Sequence, residues 1–370
     1  MRTHFSSTLF TLTLVTLFAL PLAAQEEPQA EFRGELEVTE VLLDVLVTDG
    51  SGNAILGLQP EDFIVEDEGE TIDLTSATFY SNRRFLDSAS VAERLGVAPE
   101  EVPVDRYFIL FFHDQRHEDP TLTNDELDAI RWVRQWVDYE LLPSDWVAVL
   151  SYDVKLKVHQ DFTTNKEALR NALTSVAKAK DPGANWPSRQ DLDSVRGPSL
   201  RKNLPQGKQL SKESRRQIYS GLRLTGEAAG YITGRKNLML FSIGFGELND
   251  VGTYYPDQRY FSPMVEALND NNVAVYSISW VKNLAQESPE MRDLGNALSL
   301  LSADTGGTYY FNFANFNDPL RQVVDDNSGY YLLSYSSERP AGETGYSRVK
   351  VKTTNPSFVV RARQGYRYGG

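Results

Sequence analysis

The sequence predicts an α/β protein: a doubly wound, mainly parallel sheet, plus a small antiparallel β module built from the N- and C-terminal segments. Three observations carry this. Residues 107–112, 146–152, 237–243 and 273–279 are largely apolar runs without alternation, as in strands covered on both faces. Helical periodicities separate them; Leu127, Ile130, Val133, Val137 and Leu141 recur at helical spacing until Pro143 stops the pattern. Both ends of the chain instead show extended runs bounded by turn residues, with no helix between them.

A chain of 370 residues exceeds what one small core organises and suits two domains. Hydrophobic residues make up 41% and charged residues 24%, the composition of a globular protein. A net charge of −14 denies the chain an overall basic field, which argues against nucleic acid as a partner. The count of zero cysteines removes disulfides, thiol catalysis, thiolate metal sites and a lipid anchor on cysteine. Residues 1–24 read as a signal peptide: Arg2 and His4 open it, 9–22 is apolar, and Leu22-Ala23-Ala24 precedes a plausible cleavage point. The apolar core is short for a membrane span, and no later stretch approaches transmembrane length. The expected product is exported, periplasmic or extracellular, without a transmembrane segment after cleavage.

Residues 31–82 read as an N-terminal β module, with Val41, Leu43, Val45 and Val47 on one face and turns at 49–53 and 68–70. Residues 83–104 read as a linker with a short helix near 90–95. The α/β domain spans 105–328. Thr123-Asn124-Asp125-Glu126 and Thr164-Asn165-Lys166-Glu167 predict capping boxes at two helix starts. Residues 155–159 suit a strand paired as a hairpin with 146–152. Residues 181–212, rich in Gly, Pro and basic side chains, predict a mobile insertion. Helices are expected over 214–233, from Ser262-Pro263 to Asn269, from Ser288-Pro289 to the Gly306-Gly307 stop, and from Asp318-Pro319 to Asp326. A short strand is expected at 308–311. Within 329–368, strands at 330–335, 347–353 and 358–363 are placed to complete the N-terminal module, because domain termini are often adjacent.

The first apolar strand runs into His113-Asp114-Gln115-Arg116-His117, and ligands of open α/β sheets sit beyond the carboxyl ends of strands. The run resembles the zincin motif HExxH with Asp for Glu. That motif needs a helix, where the two imidazoles share a face, and here a buried strand precedes it. A zinc hydrolase on these residues is one alternative reading. No GxSxG nucleophile elbow appears, and Gly244-Phe245-Gly246 lacks the third glycine and following helix of a dinucleotide fingerprint. Trp132, Trp136 and Tyr139 read as packing residues of one helix. No catalytic residue, resident metal or cofactor is assigned, and the chain is not read as an enzyme.

The apolar strand, the Asp-bearing turn, the capped helix and then LLPSDWVAVLSYD resemble a von Willebrand factor type A domain. TTNKEALRNAL, GRKNLMLFSIGFG and VAVYSIS extend the likeness. The flanks VLLDVLVTDGSGNAILGLQPEDFIVEDEGE, SADTGGTYYF, GYYLLSYS and YSRVKVKTTNPSFVVRARQGYR are similar to the secreted bacterial proteins called VWFA-related domain proteins. The resemblance implies a metal-ion-dependent adhesion site of the form DxSxS, which holds Mg²⁺ through oxygen ligands and leaves one position for a partner's carboxylate. Asp114 falls on the motif's Asp, but Arg116 and Glu118 fall on its serines, and Ile243 stands where an acidic ligand is common. Asp119 or Asp250 would have to compensate for Ile243. An arginine there repels a cation and would itself take its place beside Asp114 as an internal ion pair. The reading is an exported, non-enzymatic protein-binding protein of adhesion type with a degenerate metal site. Asp114, Arg116 and Glu118 are its candidate binding residues, and an exported or cell-surface protein is its partner. A Mg²⁺-dependent adhesin with unorthodox ligands is the second alternative.

Overall fold

The computed structural model describes residues 36–81, 105–117, 119–182, 196–215, 217–249, 253–280, 289–327, 329–340 and 342–369. The expected signal peptide, the linker with its short helix, Glu118 and Asp250 lie outside them. In chain order the structure contains β1 (Leu36–Thr48), β2 (Phe63–Asp67), β3 (Glu70–Ile72), β4 (Ser76–Ser81) and β5 (Arg106–His113). There follow α1 (Thr123–Tyr139), β6 (Asp145–Tyr152), β7 (Leu156–Thr163), α2 (Lys166–Ala177), α3 (Lys208–Glu213) and α4 (Ile218–Ala229). Next come β8 (Lys236–Ser242), β9 (Glu247–Leu248), β10 (Tyr254–Tyr255), α5 (Gln258–Asp270), β11 (Val273–Ser279), α6 (Pro289–Asp304), β12 (Tyr309–Tyr310) and α7 (Asn317–Asp326). The chain ends with β13 (Gly329–Pro340), β14 (Gly345–Thr353), β15 (Val359–Ala362) and β16 (Gly365–Tyr368).

The largest sheet has six strands in the order β12-β11-β8-β5-β6-β7. It is mixed: the pairs from β12 to β6 are parallel, and β7 lies antiparallel on β6. The apolar runs explain the centre. Phe108 to Phe112 are wholly buried, with Ile109 and Phe111 in the core under α4 and α5, and Phe108, Leu110 and Phe112 in the core under α1, α2 and α7. Arg106, at the start of β5, is buried but answered: its Nε and Nη2 donate to the Asp145 carboxylate at 2.8 and 2.6 Å. At the other end, Phe112 stacks on Phe241 at 4.9 Å, and the Trp280 indole N–H reaches the His113 carbonyl at 3.2 Å.

Several helix starts differ from expectation. The box at 123–126 does not form, because α1 begins at Thr123 after Leu122 and Asp119 instead caps a preceding 3₁₀ turn through the Thr121 amide. Helix α2 is capped by Asn165, whose side chain accepts from the Glu167 and Ala168 amides, one residue beyond the expected Thr164. Helix α5 starts earlier than Pro263, at Gln258, because Asp257 accepts from the Arg259 amide; Pro263 sits inside the helix. The helix expected over 214–233 is shorter and preceded by α3. The described part of the 181–212 stretch is packed: Leu200, Leu204 and Leu210 are buried in the core, and Ser199 Oγ donates to Asp161 at 2.6 Å.

The two ends of the chain interleave. One four-stranded sheet has the order β15-β1-β13-β4, and another has β16-β14-β2-β3; all their pairings are antiparallel. The residues after the 68–70 turn are divided between them as β3 and β4, and β16 adds a strand beyond the three expected near the end of the chain. A shared core joins the sheets, with Leu43, Val45, Tyr331 and Leu333 from one and Phe63, Val65 and Val349 from the other. Asp67 is the polar knot in this core. Its carboxylate accepts from the Tyr335 hydroxyl at 2.9 Å, the Tyr366 hydroxyl at 2.8 Å, Arg339 Nη2 at 3.2 Å and the Ser347 hydroxyl. Asp67→Ala strands two buried phenols and a guanidinium, so urea unfolding is expected to show a loss of about 3–5 kcal/mol. A loss below 1 kcal/mol would remove Asp67 from that role.

Candidate functional site

The carboxyl ends of β5, β8 and β11 meet around the 113–117 turn. Strand β5 continues through His113, and 114–117 are coil and turn. This corrects the zinc hydrolase reading. The His113 ring is buried and its Nδ1 lies 2.8 Å from Ser242 Oγ, whereas the His117 side chain is exposed. The two imidazoles share no helical face, so the HExxH geometry is absent. Among the described residues no group of three or more His, Cys, Asp or Glu side chains is arranged to hold a metal ion.

The turn is fastened to β8 by residues with no local signature. Gln115, 2% exposed, accepts through Oε1 from the Ile243 amide at 3.0 Å and donates through Nε2 to the Gly244 carbonyl at 3.2 Å. Ser242 Oγ accepts from the Gly244 amide at 2.9 Å. Gly244 has φ +121°, and a Cβ there would overlap the Leu294 carbonyl of α6. Ile243 is therefore not a stand-in ligand but a buried side chain whose backbone is spoken for.

Arg116 is the centre of the cluster. Its Nε and Nη2 donate to Asp114 Oδ1 at 2.9 Å and Oδ2 at 2.6 Å, a two-pronged pair. Nη1 and Nη2 also donate to the carbonyls of Ala177 and Val176 at 2.9 and 3.2 Å. Those carbonyls end α2, where the helix presents its negative pole. Glu126, from the first turns of α1, brings Oε2 to 3.2 Å from Arg116 Nε. The Nε–H is directed at Asp114, however, and neither Glu126 oxygen receives a hydrogen bond. One guanidinium thus faces two buried carboxyl groups.

The charges settle accordingly. Burial works to raise the Asp114 carboxyl, but the hydrogen bonds and charge of Arg116 outweigh it and hold Asp114 below the usual carboxylate range. Burial, with the neighbouring Asp114 charge, pushes Glu126 up to about 8. His113 is driven down to about 3 and His159 to about 4, both by burial. A divalent ion does not fit these residues. Both Asp114 oxygens are engaged, the cationic position is filled by a guanidinium that is only 14% exposed, and Ile243 supplies no oxygen. Asp119, one of the two expected compensating carboxylates, caps the 3₁₀ turn through its Thr121 bonds.

Of the candidate residues, the structure brings Asp114 and Arg116 into contact, and Glu118 lies outside the described residues. Glu126, Gln115 and Ser242 carry no site signature in the sequence. Glu126 reads as a cap, and its one hint is an acidic side chain on the first turn of a helix following a turn that carries an arginine.

No family model matches the chain, and no curated protein matches it. Its structural neighbours include a von Willebrand factor type A protein from Catenulispora acidiphila. That match has 8% identity, covers 91% of this chain and 74% of the other, and has a TM-score of 0.36. This is the family that the sequence resembles. BatB from Bacteroides thetaiotaomicron matches at 12% identity over 60% of this chain and 97% of its own, with a TM-score of 0.35. The N-terminal domains of the type V pili tip protein Mfa5 from Porphyromonas gingivalis match at 9% identity over 78% and 67%, with a TM-score of 0.37. These are likenesses of coarse outline. The chemistry of the site rests on the side chains described above. No helix among the described residues is long and apolar enough to cross a membrane.

The carboxyl of Glu126 makes stability depend on pH with a definite sign. Below about 4.5 both folded and unfolded states hold its proton. Between there and about 8 only the folded state does, so stability falls as pH rises, and above 8 the loss is complete. The buried histidines act oppositely: the stability of their neutral forms is present above 6.5 and lost as pH falls toward 4 and then 3. Glu126→Gln is expected to match wild type near pH 4.5 and to exceed it at pH 9 by on the order of 2–4 kcal/mol in urea unfolding. Parallel pH profiles for the two proteins would show that Glu126 ionises normally in the fold.

Proposed function

We propose that the chain is an exported, non-enzymatic protein-binding protein of adhesion type, with a degenerate metal-ion-dependent adhesion site in which a guanidinium replaces the cation. The observation that supports this is Arg116, lodged between Asp114, Glu126 and the carbonyl end of α2. In this reading residues 1–24 are removed on export, 31–82 and 329–368 form a β module, 83–104 link it to the rest, and 105–328 are the binding domain.

The contact surface is formed by the loops around 113–120, 181–212 and 244–260. Asp114 and Arg116 act from beneath by fixing the turn that carries the exposed His117. The β9–β10 hairpin adds Leu248 and Tyr255, which are 58% and 47% exposed, and Tyr260 carries Arg259 over its ring at 5.5 Å. Mixed polar and aromatic groups of this kind suit selective contact with an exported or cell-surface protein.

Two measurements test the reading. Millimolar Mg²⁺ or Mn²⁺ is expected to leave the melting temperature of wild type unchanged. Arg116→Ser, which frees two carboxyl groups, is expected to be less stable and to regain stability with metal. Saturable metal binding to wild type in calorimetry would instead establish the Mg²⁺-dependent adhesin. In pull-downs from exported proteins, Leu248→Glu with Tyr255→Glu is expected to lose partners that wild type retains. An unchanged partner set in a folded variant would move the interface elsewhere.

A further inference from the structure

A charge asymmetry beside the 113–117 turn points to what a partner must carry. In a chain of net charge −14, residues 178–216 hold ten Lys and Arg against four Asp and Glu, hence 10 − 4 = +6. The remainder of the chain is then −14 − 6 = −20. The loop 244–260 has Glu247, Asp250 and Asp257 against Arg259, hence 1 − 3 = −2. Like charges gathered in one place repel, so the basic cluster weakens the isolated fold and is relieved by opposite charge from outside.

The described part of this basic segment is fixed along the outer edge of β7. The Asp161 carboxylate accepts from Ser199 Oγ at 2.6 Å and from the Leu200 amide at 2.8 Å. Arg201 Nη2 donates to the Val158 carbonyl at 3.1 Å, and the Leu156 amide donates to Ser214 Oγ at 3.0 Å. With Leu200, Leu204 and Leu210 in the core, a partner meets these cations without first ordering the backbone that carries them. The flank also begins at the site itself. The end of α2 that receives Arg116 continues into the exposed Lys178 and Lys180, and the Ala179 and Lys180 amides donate back to the Val176 and Ser175 carbonyls at 2.8 and 3.0 Å.

A pocket of about 260 Å³ opens where β7 starts, lined by Lys155, Lys157, Asp181 and Lys208 over Leu156 and Leu210. Two of its lysines are answered: Lys155 Nζ pairs with Asp181 at 2.5 Å and Lys157 Nζ with Asp153 at 2.6 Å. Lys208 is not, nor are Lys178, Lys180, Lys212 and Arg215. All five are exposed, and among the described residues none has a carboxylate within ion-pair distance. Lys208 and Lys212 stand four apart on α3, hence on one face.

The setting selects among anionic partners. Single-stranded nucleic acid is held by several aromatic side chains interleaved with cations, and 178–216 contains one aromatic residue, Trp186. An anionic membrane surface takes up apolar side chains beside the cations, and the described part of the segment exposes no large one. Carboxylates presented by a protein require neither.

We propose that this flank recognises an acidic, Asp- or Glu-rich segment of the partner protein. One carboxylate enters the pocket beside Lys208, and others lie against Lys178, Lys180, Lys212 and Arg215. The partner is that of the protein-binding reading above, on which this assignment rests. The probe is a fluorescein-labelled decapeptide of alternating Glu and Ser, titrated into the full chain by anisotropy at low salt. Controls are the Lys-Ser decapeptide and an oligophosphate of equal charge. The Glu-Ser peptide is expected to bind, less tightly as NaCl rises. Lys178→Glu with Lys208→Glu and Lys212→Glu is expected to weaken it about tenfold. Should that variant melt early, glutamine at the same three positions is expected to weaken it about threefold. Arg348→Glu with Lys350→Glu, on β14, is expected to leave binding unchanged. In pull-downs from exported proteins, the three-site glutamate variant is expected to lose the partners that Leu248→Glu with Tyr255→Glu loses. No binding at millimolar peptide, equal binding of the Lys-Ser peptide, tighter binding of the oligophosphate, undiminished binding to the lysine variants or equal weakening by the β14 pair would overturn the proposal. Partners kept by the three-site variant yet lost by the hairpin pair would overturn it and leave the protein-binding reading standing; partners kept by both would remove the whole contact surface.

Discussion

A guanidinium enclosed by two carboxyl groups and two helix-terminal carbonyls governs the carboxyl edge of the large sheet. Arg116 joins the turn after β5 to α1 through Glu126 and to the end of α2 through Val176 and Ala177. Removing Asp114 or Arg116 leaves the other as a buried charge without an answer, which costs more than the pair itself contributes. The arrangement also decides the local chemistry. A divalent ion recruits a carboxylate from outside because its shell has a vacancy, whereas this guanidinium has spent nearly all its donors inside the chain. In the proposed role, recognition over such a site has to come from the shape and side chains of the loops above it.

The β sandwich relies on a comparable device with the signs reversed. Asp67 gathers two phenols, a serine and an arginine from strands that lie at the far end of the sequence. Both devices are buried charges with several hydrogen bonds each, and both tie segments that no short-range preference would bring together. The apolar cores supply the drive to collapse; these two knots help select which strands and helices meet.

The strands of the large sheet were legible because burial on both faces leaves unbroken apolar runs such as 107–112 and 273–279. Helix bodies were legible from spacing, but their starts were not. Glu126 has the pattern of a cap, yet its side chain is buried beside Asp114 and Arg116. Asp257 caps α5 six residues before the conspicuous Pro263, which sits inside the helix. The stretch 181–212 reads as loose from its glycines and prolines, while three leucines in its described part reach the core. For the site, the opposition of Asp114 and Arg116 could be read from the motif they disturb. Gln115, Ser242 and Glu126 could not, since their partners are far along the chain and no spacing rule connects them.

The interleaving of the chain ends has a consequence for folding. Leu36 pairs with Pro340 and Val45 with Tyr331, so apart from the local Thr48–Ala54 bridge β1 has no partner strand until most of the chain has been made. The α/β unit, whose neighbouring strands and helices are mostly close in sequence, can organise first. Its completion brings residue 329 back toward residue 81, where β13 meets β4. Sandwich closure is then the late, long-range step, with its loop-closure cost already met by the folded insert. A nascent chain therefore carries β1 as an exposed, strand-forming segment throughout that interval, the period in which a chaperone is most needed.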